Sequence, residues 1–251
     1  MVKSWGLTLP GLNPSLTRRA YVCLPPSYET AEEAFPVLYL FDGQNLFFDE
    51  EATYGQSWEL EQYMQEHDPH LILAAVESSP VGDERLMELS PFTHNTGELG
   101  LVQGRARTMM QWLTGEFKPM IDRTYRTLPD RENTYIGGSS MGGLMALFGV
   151  LRYNDIFSRA ACLSPSLWVS PRKVHRMCQE AHPAEHTLVY MDYGTEEIGN
   201  HPDTYEALLR TCRDLLQRSV DLTFRIDPYG THSEASWAQR VPFFMRCLGL
   251  E

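Results

Sequence analysis

Two short runs of almost continuously apolar residues most strongly constrain the fold of this chain. Residues 35–41 read FPVLYLF, and residues 71–76 read LILAAV. Runs of this length without polar alternation are typical of strands covered on both faces, as in a parallel sheet between two layers of helices. The chain has 251 residues and a hydrophobic content of 43%, which is sufficient for a core of that kind.

Other segments along the chain alternate between predicted strands and predicted helices. Further strands are predicted at residues 5–9, 18–24, 133–136, 159–163, 187–191 and 221–226. Helices are predicted at residues 57–67, 101–122, 141–151, 170–181, 202–218 and 233–248, the last with a break at Pro242. This alternation predicts an α/β fold whose mostly parallel central sheet of about eight strands is flanked by helices on both faces. Because no linker or internal repeat interrupts it, we expect a single domain over residues 1–251.

The charge balance narrows the choice of partners. A formal net charge of -12 argues against a nucleic-acid partner, because phosphate binding requires a basic face. A small-molecule substrate is compatible with this charge. No stretch is apolar for long enough to span a membrane, and the first residues lack the apolar core of a signal peptide, so a cytoplasmic location is expected.

The cysteines and histidines do not indicate a metal or a cofactor. The five cysteines are odd in number and form no CxxC pair, so free thiols are expected. The segment His67-Asp68-Pro69-His70 has the composition of a metal site, but no other ligand cluster accompanies it. We interpret it as a solvated turn at the end of a helix, and we expect no bound metal or cofactor.

A glycine-rich turn stands between a predicted strand and the apolar helix at residues 141–151. It reads Gly138-x-Ser140-x-Gly142, the pattern of a nucleophile elbow, in which a serine sits on a sharp strand-to-helix turn. The glycines have a steric reason, because side chains two positions before and after the serine would collide at such a turn. The alternative is a plain glycine-rich turn that packs a helix against a strand.

Polar residues follow several of the predicted strands. Ser140 follows one strand, Asp192 and Glu197 follow the next but one, and His232 follows the last. In open α/β sheets, ligands gather at the carboxyl ends of the strands, so these side chains are expected to meet there. A serine becomes a good nucleophile when a histidine takes its proton and an acid orients the histidine. Either acid could serve, and each of these residues could instead be a solvated loop residue.

Donors for a negatively charged oxygen and residues for a substrate pocket are also predicted. Backbone N–H groups of Met141 and of Gln44 (or its neighbour Gly43) stand at strand ends where an oxyanion hole would form. The long polar segment at residues 77–100, which includes Arg85, is expected to shape the substrate pocket. Two tryptophans near strand-end loops are either core aromatics or pocket residues, namely Trp58 and Trp168.

Six motifs together resemble one branch of the α/β-hydrolase superfamily. They are VLYLFDGQNLF (37–47), FKPMIDRTYRT (117–127), YIGGSSMGGLMAL (135–147), SPSLW (164–168), YGTEE (193–197) and THSEASW (231–237). This branch includes esterase D (S-formylglutathione hydrolase), feruloyl esterases, enterochelin esterases and the antigen 85 mycolyltransferases. The resemblance covers about residues 20–248 and implies the α/β-hydrolase fold.

The resemblance implies roles for particular residues. Ser140 matches the nucleophile and His232 the base, while the acid of the family follows a Gly-Thr turn, which favours Glu197 over Asp192. Met141 and Gln44 match the backbone donors of the oxyanion hole.

The implied activity is that of a serine esterase, which hydrolyses an acylated carbohydrate, a hydroxycinnamate ester or a siderophore-type ester through an acyl-Ser140 intermediate. The alternatives are an acyltransferase with the same acyl-enzyme and a non-catalytic binding protein on this scaffold.

Overall fold

A computed structural model describes residues 1–95, 100–200 and 202–250. Its strands are β1 (Val2–Leu9), β2 (Asn13–Cys23), β3 (Val37–Leu40), β4 (Ile72–Val76), β5 (His94–Asn95), β6 (Leu101–Val102), β7 (Thr134–Ser139), β8 (Arg159–Leu163), β9 (Leu188–Gly194) and β10 (Asp221–Asp227). Its α-helices are α1 (Leu60–His67), α2 (Glu84–Glu88), α3 (Ala106–Trp112), α4 (Lys118–Thr124), α5 (Met141–Arg152), α6 (Pro171–Gln179), α7 (Thr195–Asn200), α8 (Pro202–Leu216), α9 (Glu234–Ala238) and α10 (Val241–Cys247).

Eight of these strands form the central sheet, in the order β1-β2-β4-β3-β7-β8-β9-β10. The pairs β1–β2 and β2–β4 are antiparallel. The remaining pairs of this sheet, β4–β3, β3–β7, β7–β8, β8–β9 and β9–β10, are parallel. The predicted fold class, a mostly parallel sheet of about eight strands, is therefore confirmed. The parallel part brings the carboxyl ends of β3, β7, β8, β9 and β10 to one edge.

The apolar core lies on both faces of this sheet. In β3, Val37 and Tyr39 join the cluster that contains α5, whereas Leu38 and Leu40 join the cluster that contains residues of α1 and α10. All four side chains are at most 3% exposed, as the uninterrupted apolar run predicts. Burial of each such side chain contributes roughly 1.5–3 kcal/mol to folding, so helices are required on both faces.

The helix predicted at residues 101–122 begins later and is not uniform. Residues 101–102 pair with His94–Asn95 as a two-stranded hairpin, so the helix starts at Ala106. A π-helical turn at Leu113–Phe117 then joins α3 to α4. The polar segment predicted at residues 77–100 contains α2 and β5, and its residues 96–99 lie outside the described residues.

The helix predicted at residues 233–248 is two helices, α9 and α10. Pro242 stands in the first turn of α10, where its missing N–H costs no hydrogen bond. Arg240 is the N-cap residue of α10, at the junction of the two helices. The break therefore creates the position from which the Arg240 side chain enters the core.

The segment from His67 to His70 forms a turn at the end of α1. His67 Nδ1 lies 3.0 Å from the carbonyl oxygen of Tyr63, and Asp68 accepts hydrogen bonds from the N–H and hydroxyl of Ser27, both at 2.9 Å. Within the described ranges, no group of three or more His, Cys, Asp or Glu side chains converges as a metal site would. In the same ranges, no helix has an apolar stretch long enough to cross a membrane.

Candidate active site

Ser140 occupies a strained turn between β7 and α5. Its backbone has φ 56° and ψ -119°, a region that side-chain-bearing residues rarely adopt and that costs of order 1–3 kcal/mol. Backbone hydrogen bonds hold the turn, because Ser140 N–H donates to the carbonyl of Leu163 at 2.9 Å and Leu144 N–H donates to the carbonyl of Ser140 at 3.1 Å. The hydroxyl is thereby presented at the carboxyl edge of the sheet, as the elbow pattern predicts.

The elbow requires glycine at position 138. A Cβ atom there would lie 2.8 Å from the carbonyl carbon of Gly142, which is closer than two carbon atoms can approach. The turn would have to open to accept any side chain. Gly138 is therefore needed because the two arms of the turn touch, whereas a Cβ on Gly142 would lie 3.2 Å from Asp42 Oδ2 and 3.3 Å from Phe41 Cβ.

We expect Gly138→Ala to lower stability by about 1–3 kcal/mol, since the overlap must be relieved by moving backbone, and to lower ester hydrolysis with it. Gly115→Ala is the matched control, because Gly115 is exposed and an added Cβ meets nothing within 4 Å. That change should stabilise by about 0.5–1 kcal/mol. Urea unfolding of both variants measures the contrast, and equal effects would contradict the steric account.

His232 links Ser140 to an acid. Its Nε2 lies 2.9 Å from Ser140 Oγ, and its Nδ1 lies 2.7 Å from Glu197 Oε2. A carboxylate can only accept, so Nδ1 carries the proton and Nε2 is left to accept from the serine hydroxyl. The structure thus brings together the three residues predicted as nucleophile, base and acid. The imidazole also packs edge to face with the ring of Trp237, and the two ring centroids are 4.9 Å apart.

Glu197 is buried with a full set of donors. Its Oε1 accepts from Ser164 Oγ at 2.8 Å, from the Gly194 N–H at 2.9 Å and from an Arg240 guanidinium nitrogen at 3.2 Å. Burial opposes its ionisation, but hydrogen bonds from His232, Ser164 and Gly194 hold the pKa of Glu197 below its ordinary value. A carboxylate that stays ionised beside the imidazole can stabilise the imidazolium form.

Asp192, the alternative acid, faces elsewhere. Strand β9 extends to Gly194 because its last residue pairs with Asp227 of β10, so Asp192 lies inside the strand and not at its end. Its carboxylate accepts from Tyr190 at 2.8 Å and from Arg240 at 3.0 Å, and it is fully buried. In this arrangement Glu197, not Asp192, contacts His232.

A close contact between two glycines brings the acid and base loops together. A Cβ on Gly194 would lie 1.9 Å from the carbonyl oxygen of Gly230, so only glycine allows this approach. Across the same contact, Glu196 N–H donates to the Gly230 carbonyl at 3.1 Å, and Tyr229 N–H donates to Thr195 Oγ1 at 2.8 Å. These bonds set the spacing between Glu197 and His232.

The predicted oxyanion donors are backbone groups at helix starts. Met141 is the first residue of α5, so its N–H has no acceptor within the helix. Gln44 lies in a single 3₁₀ turn, Gly43–Asn45, and its side-chain amide bonds Ser78 through both the Ser78 N–H and hydroxyl, each at 3.1 Å. The role of these two N–H groups stays a prediction.

Arg85 braces the loop that carries Gln44. Its guanidinium binds both oxygens of Asp42, at 2.6 and 2.7 Å, and Asp42 itself has a left-handed backbone with φ 58°. Burial opposes the ionisation of Asp42, but Arg85 lowers the pKa of that carboxyl. Arg85 pairs with Asp42 and still keeps 29% of its side chain exposed. Its predicted contact with the substrate stays a prediction.

The two predicted pocket tryptophans differ. Trp58 is 2% exposed and packs in the core against Trp237 and Phe244, which supports the core alternative for this residue. Its predicted substrate contact stays a prediction. Trp168 is 54% exposed and lies in the middle of the 3₁₀ turn Leu167–Val169, where it is available to a ligand.

Three residues that sequence reasoning did not single out contact the site. Ser166 Oγ lies 3.3 Å from Ser140 Oγ, while Ser164 and Arg240 bind Glu197. Ser164 and Ser166 belong to the SPSLW motif, which was a usable signal. Arg240 gave no such signal, because a lone arginine in a predicted helix is usually exposed.

A cavity of about 680 Å³ lies next to this region, between β5, α6 and α8. Its lining includes Val169, Ser170 and Arg210, but neither Ser140 nor His232. It is therefore adjacent in the chain to the Trp168 turn and separate from the reacting groups.

Glu234 adds a buried acid two residues after His232. Burial raises the pKa of Glu234, and its Oε1 accepts a hydrogen bond from Asn45 Nδ2 at 3.0 Å. A raised folded-state pKa means that the folded protein binds more protons than the unfolded one, so this group lowers stability as pH rises through that pKa.

Glu234→Gln keeps the acceptor for Asn45 but removes the charge. We expect its Tm to exceed that of the wild type at pH 8, with a smaller gain at pH 5, where the native acid is partly protonated. Thermal unfolding at both pH values measures the difference in Tm. Glu116→Gln, the same change at an exposed residue, is the control. An equal gain at both pH values would show that charge burial is not the cause.

Comparison with known proteins identifies the family of this chain. The family described as "Putative esterase" matches residues 15–244. The chain belongs to this family. It is an esterase, that is, a carboxylic ester hydrolase.

Individual relatives of the esterase are distant. Uncharacterized protein YbbA of Bacillus subtilis (strain 168) is 26% identical over 217 residues, which are 84% of this chain and 81% of the relative. A solved ferulic acid esterase has a TM-score of 0.70 at 20% identity, with 98% of each chain covered. The structure named Enterobactin and Salmochelin Hydrolase IroE has a TM-score of 0.67 at 18% identity, covering 99% of this chain and 94% of the other. These likenesses show the shared α/β-hydrolase fold.

Proposed function

We propose that this esterase cleaves its substrate through an acyl-Ser140 intermediate, with His232 as the general base and Glu197 as the acid that orients it. The observation that carries the proposal is the continuous hydrogen-bonded chain. Ser140 Oγ lies 2.9 Å from His232 Nε2, and His232 Nδ1 lies 2.7 Å from Glu197 Oε2. Serine, base and acid in this geometry are sufficient to generate a nucleophile from a hydroxyl group.

In the first step, Ser140 Oγ attacks the ester carbonyl carbon while its proton passes to His232 Nε2. The carbonyl oxygen becomes negatively charged and accepts hydrogen bonds from the backbone N–H groups of Met141 and Gln44. One such donor typically contributes about a hundredfold or more to the rate. Collapse of the tetrahedral intermediate breaks the bond to the alcohol, which leaves with the proton held by His232.

In the second step, water replaces the alcohol. His232 Nε2 takes a proton from the water as its oxygen attacks the acyl carbon, and Ser140 Oγ then leaves and regains the proton. Glu197 keeps the imidazole in the tautomer that has Nε2 free at the start of each step. Hydrogen bonds from His232, Ser164 and Gly194 lower the pKa of Glu197 and so favour its ionised form.

The names of the structural relatives suggest two substrate classes, hydroxycinnamate esters and siderophore-type esters. An exposed tryptophan two residues after Ser166 supports an aromatic group in the substrate, because Ser166 itself contacts the nucleophile. Stacking of a substrate ring on Trp168 would contribute roughly 0.5–1.5 kcal/mol.

A fluorophosphonate probe and an ester panel test the proposal. The probe should label the wild-type protein at Ser140, as located by peptide mass spectrometry. The panel combines p-nitrophenyl esters of graded acyl size with methyl ferulate, each assayed with and without added alcohol. Release of free acid as the main product supports hydrolysis. If ester exchange dominated even in dilute alcohol, the proposed activity would be acyl transfer and not hydrolysis. Failure of the wild type to be labelled would overturn the proposal.

A further inference from the structure

Arg240 is the most deeply buried cation near the site. Its side chain has no exposed area, and its three nitrogens all have partners. Nε contacts Asp227 at 3.3 Å, Nη1 contacts Asp192 at 3.0 Å, and Nη2 contacts Glu197 at 3.2 Å. Nη2 also donates to the backbone carbonyl of Thr231 at 3.2 Å, the residue that precedes His232. One guanidinium therefore holds both the acid and the loop of the base.

A second contact between Arg240 and Glu197 runs through the hydroxyl of Ser164. Its oxygen lies 2.9 Å from Trp237 Nε1, 3.0 Å from Arg240 Nη1 and 2.8 Å from Glu197 Oε1. The indole and the guanidinium can only donate, so the single hydroxyl proton must point to Glu197. Arg240 thus acts on Glu197 directly and also through Ser164, whose hydroxyl it leaves with one possible orientation.

Asp192 supplies the compensating charge. Burial raises the pKa of Asp192, yet its partners Tyr190, Ser164 and Arg240 each offer a proton to it, which favours the carboxylate form. A buried arginine without such a partner would be strongly unfavourable. The presence of this second acid, inside β9, is therefore explained by Arg240 and not by the histidine.

We propose that Arg240 is a positioning residue that sets the distance and charge between Glu197 and His232, and that Asp192 serves to balance its charge. This inference rests on the proposed acyl-Ser140 mechanism. A guanidinium is suited to the task because its rigid fork donates in several fixed directions at once. Lysine would keep the charge but lose most of these directions.

The charges give the two residues opposite effects on the base. His232 must be neutral to accept a proton, so activity falls on the acid side as it becomes protonated. The fall in activity at low pH is the acid limb of the pH profile. Loss of the Arg240 cation would favour the imidazolium and move the acid limb to higher pH. Loss of the Asp192 anion would move it to lower pH. The other charged groups facing the site stay in place in both variants: Glu197, Asp227 with Arg225, Glu234, and Asp42 with Arg85.

Steady-state kinetics of Arg240→Met, Arg240→Lys and Asp192→Asn across pH 5 to 9 test the proposal. Arg240→Met should lower kcat by about 100-fold with little change in KM, because a misplaced base slows chemistry and not binding. Its acid limb should rise by about 0.5–1 pH unit, and that of Asp192→Asn should fall by a similar amount. Arg240→Lys should recover part of kcat and most of the limb position.

Arg131→Met is the control for loss of a largely buried arginine. Arg131 binds Asn154 and Thr187 beside the amino ends of β7 and β9, so its loss should lower Tm and leave the acid limb unchanged. If Arg240→Met does not fold, the limb shift of Asp192→Asn and the partial loss of kcat in Arg240→Lys decide. An unchanged acid limb in Asp192→Asn, or limbs of Arg240→Met and Asp192→Asn that move in the same direction, would overturn the proposal. Probe labelling of the wild type separates failure of the Arg240 proposal from failure of the acyl-Ser140 mechanism.

Discussion

Replacement of Ser140 by alanine is expected to abolish ester hydrolysis, with kcat/KM reduced by at least about 10⁴-fold. The reason is that no other described hydroxyl is both aligned with His232 and held on the elbow. Ser166 Oγ is 3.3 Å from Ser140 Oγ, but its side chain is almost fully buried. Hydrolysis of a p-nitrophenyl ester and fluorophosphonate labelling measure the loss. Both should disappear together.

Ser139→Ala is the matched control for this prediction. Ser139 is the preceding residue, the last of β7, and it is 6% exposed. The same atom is removed in both variants, but only Ser140 lies against the imidazole. Ser139→Ala should therefore keep its labelling and most of its activity. Undiminished labelling of Ser140→Ala would show that the nucleophile lies elsewhere.

Glu197→Gln is expected to lower kcat by about 10³- to 10⁴-fold, whereas Asp192→Asn should lower it by less than about tenfold. The amide of glutamine can donate to His232 Nδ1, which would leave the proton on Nε2 and block acceptance from Ser140. It would also lose the negative charge that stabilises the imidazolium. Asp192 has no such contact, since its carboxylate binds Arg240 and Tyr190.

Measurement of kcat and KM for both variants at one pH near 8 gives the ranking. The two substitutions are matched, because each exchanges one buried carboxylate for its isosteric amide. Circular dichroism should confirm that both variants fold. If Asp192→Asn lost more activity than Glu197→Gln, Asp192 would be the acid and the proposed roles would be reversed.

The fold was predictable because its signals are local. The run at residues 35–41 predicts that both faces of β3 are covered, because polar side chains do not alternate with the apolar ones. This prediction needs no knowledge of the elements that cover the strand. The ends of elements were less accessible. Strand β9 extends beyond its predicted end because Gly194 pairs with Asp227 of β10, a residue 33 positions later.

The same distinction applies to the site. Ser140 was predictable because the elbow needs glycines at fixed spacing, which can be read in five residues. For Trp58 the sequence left core and pocket open, and the side chain packs in the core, because nearness to a strand end does not determine which way a side chain points. Arg240 could not be predicted, since its partners are Thr231, Glu197 and Asp192 on three other segments.

The sequence by itself determined the α/β architecture, the elbow that presents Ser140, and the order of serine, acid and histidine along the chain. Each depends on neighbouring residues, whose periodicity and steric demands act within one element. Only the tertiary structure decided which acid faces His232 and which cation supports it. Those outcomes depend on strand pairing and on the face of β9 that Asp192 occupies, and a shift of one residue would move its side chain to the opposite face.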